Sequence, residues 1–544
     1  MTATDRPVGA AAGEPVVDRS LARATATITA WNLVSRVTGL ARVVAVTAAV
    51  GATYLGNVYQ SANLVSNILF ELLAGGLLSA VLVPTFVRHL EAGDRRGAAR
   101  LAAAVLARGL AVLGAIVAVG VLAASQVMRL LTLGVDGGDL RDAQVRLGAF
   151  LLWFFLPQVL LYAVGAVATA LLHADRRFVA AAVAPVANNV VVIATMVAFR
   201  AMRGSDTTLG LDLAEKLLLA AGTTAGVVAM TVVPLVAVRR AGLAARPNWS
   251  TEGERTRDLM GRGVWAAGHA GLNWALVGVT IVLANPVEGG VVAYQYAWTF
   301  FLLPFALLAN PVFTALYPRL AADAAGGRHE AFAADVGGGV RWTAFLVVPA
   351  AALLAVAAAP ALALVRLGAL DAEGARLVAA VLAAYALGLP GYGLSFLLTR
   401  ACYALDDVRW PTYVNLAVAA GATVLMVALQ AAVDGDTRVV VLGIAHTVAA
   451  TAGAVALHGR VRALLGRPVP VAGALARDAA LAAAAALAAW AVVEAVGWGS
   501  RGSAAVALAG AAAVGGAAYL GGALLTGAPE VRHPRRALAR GGAA

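Results

Sequence analysis

The feature that most restricts this chain is a series of apolar segments, each about 20 residues long and nearly free of charge. They recur from residue 22 to residue 527. Segments of that length match the hydrocarbon core of a bilayer. Of the 544 residues, 61% are apolar and 13% charged, too little charge to cover a water-soluble core of this size. The chain therefore reads as an all-α polytopic membrane protein. Hydropathy and Gly/Pro punctuation give about fourteen spans. They fall at 22–50, 56–88, 98–133, 143–173, 178–200, 213–239, 262–285, 290–318, 338–363, 374–404, 411–433, 438–460, 472–497 and 502–527.

Loops after even-numbered spans carry arginines such as Arg95, Arg96, Arg176, Arg239, Arg240 and Arg460. Loops after odd-numbered spans are richer in acid, as at Asp136, Asp139, Glu288, Asp371 and Asp434. The positive-inside rule then puts both termini in the cytoplasm. Residues 1–21 read as a disordered cytoplasmic tail and 529–544 as a basic one. The net charge of +12 is spread over short loops, not gathered into a patch, so nucleic acid is not an expected partner.

Several chemistries find no residues to carry them. The single cysteine, Cys402, excludes a disulfide framework, and the single lysine, Lys216, excludes a Walker-type phosphate loop. No Cys/His cluster has metal-ligand spacing and no nucleophile sits beside an evident base, so neither an enzyme nor a cofactor is expected. His269 and His446 lie alone inside spans and read as packed histidines, with a proton relay as the alternative.

Two arginines do interrupt the apolar pattern. Arg36 and Arg42 lie within the first span, in Ser35-Arg36-Val37-Thr38-Gly39-Leu40-Ala41-Arg42. A charge at the centre of a membrane helix costs roughly 2.5–3.5 kcal/mol on insertion scales and usually faces a polar cavity. In a straight helix the pair would lie about 120° apart. Gly39 between them lowers the cost of a bend or unwound turn that could aim both inward. Such a pair suits a diphosphate, because guanidinium grips phosphate with two parallel hydrogen bonds. The competing reading has both side chains snorkelling to opposite interfaces. The second span adds Asn57, Gln60, Asn63, Asn67 and Glu71, and Glu71 is expected to pair with Arg42 or Arg36. Arg400 and Arg409 flank the turn Tyr403–Asp407, where an ion-pair cluster is expected; Arg108 has no evident partner.

An internal repeat is visible. Span two ends Ala80-Val81-Leu82-Val83-Pro84 and span eight ends Thr314-Ala315-Leu316-Tyr317-Pro318, 234 residues later. The turn at Leu172–Phe178 resembles that at Cys402–Trp410 at nearly the same offset. Six spans per repeat predicts lobes at 22–240 and 262–463, related by a pseudo-two-fold along the membrane normal, joined by a cytoplasmic linker at 241–261. Two accessory helices, within 464–528, follow.

These residues resemble a known family. Ser35 to Arg42, Gly51-Ala52, Ser79 to Pro84, Ala184-Pro185 with Asn189, and Tyr403 to Pro411 are similar to the pattern of the MurJ/MviN family. The resemblance implies the exporter superfamily of multidrug and oligosaccharidyl-lipid transporters. It also implies the flipping of lipid II, an undecaprenyl-diphosphate-linked peptidoglycan precursor, across the bacterial cytoplasmic membrane. By the resemblance, Arg36 and Arg42 would hold the diphosphate, with Ser35 and Gly39 shaping the helix; Asn57, Asn67 and Glu71 of the second span are further candidate substrate-binding residues. The sequence departs from the family where an aspartate becomes Asn57 and an Arg-Arg pair becomes Phe70-Glu71. In helix eight an Asp-Arg pair becomes Trp298-Thr299, ahead of Pro304. Two alternatives stand beside the flippase: a paralogue exporting another polyprenyl-linked glycan or an amphipathic compound, and a non-transporting scaffold for cell-wall synthesis proteins.

Overall fold

The computed structural model describes residues 19–77, 82–244, 271 and 274–532. Every regular element among them is helical. Eleven helices are long and apolar enough to cross a bilayer, and a twelfth crossing is split into two pieces bent by 42°. The expected second and seventh spans fall partly outside the described residues, as do residues 245–261 of the expected linker, His269, Asn273 and residues 1–18 and 533–544 of the two tails. The third span, expected at 98–133, breaks at Ala123.

The first group of helices runs α1 (Arg19–Val50), α2 (Tyr54–Leu77), α3 (Val83–Glu91), α4 (Arg95–Leu122) and α5 (Ala124–Leu131). It continues with α6 (Gly138–Phe155), α7 (Gln158–Ala174), α8 (Val179–Arg203) and α9 (Leu213–Arg240). Within it α1 packs on α8, α8 and α7 on α9, and α2 on α6. Helix ends follow local chemistry. Asp94 caps α4 by accepting the Gly97 N–H at 2.7 Å, which holds its carboxyl below the ordinary aspartate range. Asp212 and Glu215 close α9 with a reciprocal capping box.

The second group opens with α10 (Trp274–Ala284) and α11 (Gly290–Pro304), which passes through a π-helical turn at Phe305–Ala309 into α12 (Asn310–Ala325). Then come α13 (His329–Val365), α14 (Ala372–Ala386), α15 (Leu389–Ala404), α16 (Arg409–Gln430) and α17 (Thr437–Leu465). Here α11 packs on α14, α14 on α13, and α15 and α16 on α17. α18 (Ala472–Val496) and α19 (Arg501–Leu525) lie against α13, with the Tyr519 hydroxyl donating to the Phe345 carbonyl at 2.9 Å. Chain expected as solvated tail instead forms the short helix α20 (Pro529–Arg532), whose buried Glu530 joins Arg477 at 3.0 Å. A carboxylate paired there is not free to extend into solvent.

Matching turns recur in the two groups. Gly93 and Gly327, 234 residues apart, are both left-handed, and each following residue donates five positions back, Asp94 to His89 and Arg328 to Asp323. Arg176 and Asp406 are the two non-glycine residues with positive φ among the described residues, and the next N–H closes the turn on Leu172 and on Cys402 respectively. The expected ion-pair cluster at the second turn is different in detail: Asp407 pairs with Arg460 at 2.6 Å, leaving Arg400 to lie over the Phe396 ring. Arg108 reaches the Ala104 carbonyl of its own helix at 3.5 Å.

Candidate functional site

Among the described residues, the hydrogen bonds that join the two groups gather at one end. Asn57, fully buried at the start of α2, donates to the Val287 carbonyl at 2.8 Å and to that of Asn285 at 3.4 Å. Its oxygen accepts the Val291 N–H at 3.0 Å, so it caps the first turn of α11 from across the seam. Asn285 reciprocates, donating to Ser61 at 3.2 Å and to the Leu131 carbonyl at 2.8 Å. The Ala369 N–H donates to Ala48 at 2.9 Å, and the Tyr54 hydroxyl donates to Pro286 at 3.3 Å. Gly368 and Gly289 make this approach feasible. Both are left-handed, and a Cβ would stand 2.2 Å from the Ala48 oxygen and 2.4 Å from the Ala52 oxygen.

Just below this seam sits Arg42. It is half-buried, and α2, which packs against α1, α7 and α11, carries Tyr59, while α7 and α11 carry Tyr162 and Tyr296. The Tyr59 hydroxyl bonds Thr223 at 3.0 Å, Tyr162 donates to Asn67 at 3.5 Å, and Tyr296 donates to the Val43 carbonyl. Neither Arg42 nor Arg36 has a carboxylate partner among the described residues. Residues 36 and 43 are seven apart and so lie within about 20° on one face of α1. Arg36 therefore lies on the face that meets α11 higher up, and it is exposed. A half-buried cation with no carboxylate partner among the described residues is suited to an anionic oxygen.

Other expected site residues are placed differently. α1 is unbroken from Arg19 to Val50, so Gly39 unwinds nothing; the backbone hydrogen-bond ladder passes through it. Ser35 and Gly39 instead face α8, where the Asn189 amide donates to the Ser35 carbonyl at 3.4 Å and to the Thr38 hydroxyl at 3.1 Å. Asn57 has its amide engaged in the seam. Glu71 is exposed and pairs with neither arginine; it lies about 18 Å further down α2 than Tyr59 by helical rise. Asn67 meets the tyrosine cluster through Tyr162. The tyrosines themselves went unread in the sequence, although Tyr59, Asn63, Asn67 and Glu71 recur every fourth residue along α2. No group of histidine, cysteine, aspartate and glutamate among the described residues could hold a metal ion.

Two helical groups joined by hydrogen bonds at one end, with cations lacking carboxylate partners among the described residues below them, define a multi-pass all-α membrane protein. A solved structure described as "Lipid II flippase MurJ, inward closed conformation" matches with a TM-score of 0.72 at 16% identity, covering 92% of this chain and 98% of that one. An inward-facing multidrug-resistance MATE family transporter matches with a TM-score of 0.62 at 14% identity, covering 79% of this chain and 95% of that one. In sequence, the family described as "Lipid II flippase MurJ" matches residues 46–504, and the chain belongs to that family. A "Probable lipid II flippase MurJ" of Rhizobium tropici is 28% identical over 404 residues, 74% of each chain. The "Lipid II flippase MurJ" of Burkholderia cenocepacia is 28% identical over 410 residues, 73% of this chain and 76% of that one.

Proposed function

We propose that this protein flips lipid II across the cytoplasmic membrane of a bacterium, by alternating access and without a catalytic step. The observation that carries the reading is Arg42, half-buried on α1 below the seam with no carboxylate partner among the described residues, with Arg36 lower on the same helix. The pair would hold the diphosphate while the polyprenyl tail stays in lipid. Residues 22–240 and 262–463 would act as the two lobes, and helices within 464–528 as an accessory pair. With arginine-rich loops in the cytoplasm, the joined end faces outward, so this is the state that loads from the inside. Family membership and the names of the relatives support the substrate.

Complementation of a bacterium depleted of its own flippase tests this reading. The chain should restore growth, and Arg42→Ala should abolish rescue at wild-type expression, with Arg36→Ala impairing it. A diphosphate that loses one charge-assisted contact is held more weakly by about 1.5–3 kcal/mol. Rescue that survives the double alanine variant would refute the assignment and favour a scaffold that docks cell-wall synthesis proteins.

A further inference from the structure

The second group encloses a cavity of about 490 Å³ between α10, α11, α15, α16 and α17, apart from the arginine site on α1. That size lies within the usual range for small-molecule sites. Its wall is aromatic. Trp298 stacks on Phe301 at 5.1 Å and meets the edges of Tyr385, Tyr392 and His446 at 6.3, 5.9 and 5.4 Å. Trp298 and Thr299 stand where the family resemblance implies an Asp-Arg pair, so this chain has an indole where a charged side chain was expected.

Thr280 and Ser395 in the lining donate to the backbone carbonyls of Leu276 and Ala450, but the groups beside Trp298 lack partners among the described residues. His446 Nε2 is buried without a hydrogen-bond partner, and the hydroxyls of Tyr294, Tyr385 and Tyr392 have none among the described residues. Residues 446 and 457 both line the space, so it extends about 16 Å along α17. Near its other end lies Arg400, fixed over the Phe396 ring at 4.5 Å and the Phe313 ring at 5.7 Å. Arg400 has no carboxylate partner among the described residues, and no carboxylate lines the cavity. Aromatic faces favour a planar ring system, the phenols and imidazole offer hydrogen bonds at the inner end, and one cation waits near the mouth. A cationic ligand would find no counter-charge there and one like charge.

We propose that this cavity is a second binding site, for a planar aromatic molecule carrying one anionic group, separate from the site on α1. The test uses the full chain in nanodiscs, titrated with anilinonaphthalenesulfonate and, in parallel, with its uncharged relative phenylnaphthylamine. Fluorescence should show one saturable component for each dye that empty nanodiscs lack. Arg400→Gln should weaken the sulfonate by about tenfold or more, the usual loss of a hydrogen bond to charge, and leave the neutral dye within about twofold. Val418→Trp, which fills the cavity from α16, should remove both components, and Trp298→Leu should weaken both should the filled variant fail to fold. Arg36→Ala should change neither, which separates this site from the flippase reading. Signal no greater than that of empty nanodiscs, sulfonate binding unaffected by Arg400→Gln, or tighter binding of ethidium than of the sulfonate would overturn the proposal.

Discussion

Asn57→Ala is the most direct probe of how the two groups are held. In the joined state this substitution removes three hydrogen bonds across the seam, to Val287, Asn285 and Val291, at a position with no solvent exposure. The Val291 N–H then stays buried without a partner, whereas the Val287 carbonyl keeps the Gly290 N–H at 3.0 Å. Such a stranded group costs on the order of 1–2 kcal/mol, the lower figure applying if a water enters the space. When the groups part, the N–H reaches water and the cost disappears. The equilibrium should therefore move by about 1–2 kcal/mol toward separation at this end, roughly 5- to 30-fold at tenfold per 1.4 kcal/mol. Spin labels at Asp139→Cys and Glu373→Cys report the change. Both residues are exposed in the first turns of α6 and α14 at the joined end, and the buried Cys402 can be replaced by serine to leave a clean background. The distance distribution should gain a longer component. An unchanged distribution together with an unchanged melting temperature would refute the role given to Asn57. A lower melting temperature with no longer component would make Asn57 a fold stabiliser and nothing more.

Other consequences follow from the same geometry. Gly368→Ala places a methyl against the Ala48 carbonyl in a left-handed backbone, so the same spin pair should lengthen by a route independent of Asn57. Arg477→Met strands Asp478 and Glu530, at 0% and 3% side-chain exposure, and should cost on the order of 3–5 kcal/mol; a clear fall in melting temperature in detergent measures it. The Gly97 N–H keeps the Asp94 carboxyl below its ordinary value, so the stabilisation it gives is present above the unfolded value near about 3.9 and is lost as pH falls through the lower folded value. Amide exchange at Gly97 should accelerate across that acid window in the wild type, and in Asp94→Ala it should be fast throughout.

How far the sequence carries the fold depends on which force set each element. Bilayer thickness and hydropathy act over about 20 residues at a time, so the apolar spans and the repeated turns at Gly93 and Gly327 are readable one segment at a time. The broken third span was not readable, because Ala123 carries no breaking signal and the bend depends on what α5 packs against. Polar residues inside the spans were visible, but their partners were not. Asn189 is one of them: only the three-dimensional pairing shows that it bonds α1 and takes Ser35 and Gly39 out of the cavity.

Asn57 shows why such residues mislead. Along the chain, a polar side chain near the start of α2 looks like a cavity-lining group, and the resemblance strengthened that reading. Its actual partners lie more than 200 positions away, at the first turn of a helix from the other group. A helix start needs acceptors for its leading N–H groups, and α11 begins at Gly289 and Gly290, neither of which can supply a side chain. The need was written at residue 290 and met at residue 57. An uncharged amide suits that task because it donates to two carbonyls and accepts from one N–H at once. A carboxylate in its place would keep the acceptor and lose the donor, setting an anion against two carbonyl oxygens. Where the family resemblance implies an aspartate, this chain therefore joins its two groups with a contact that does not titrate.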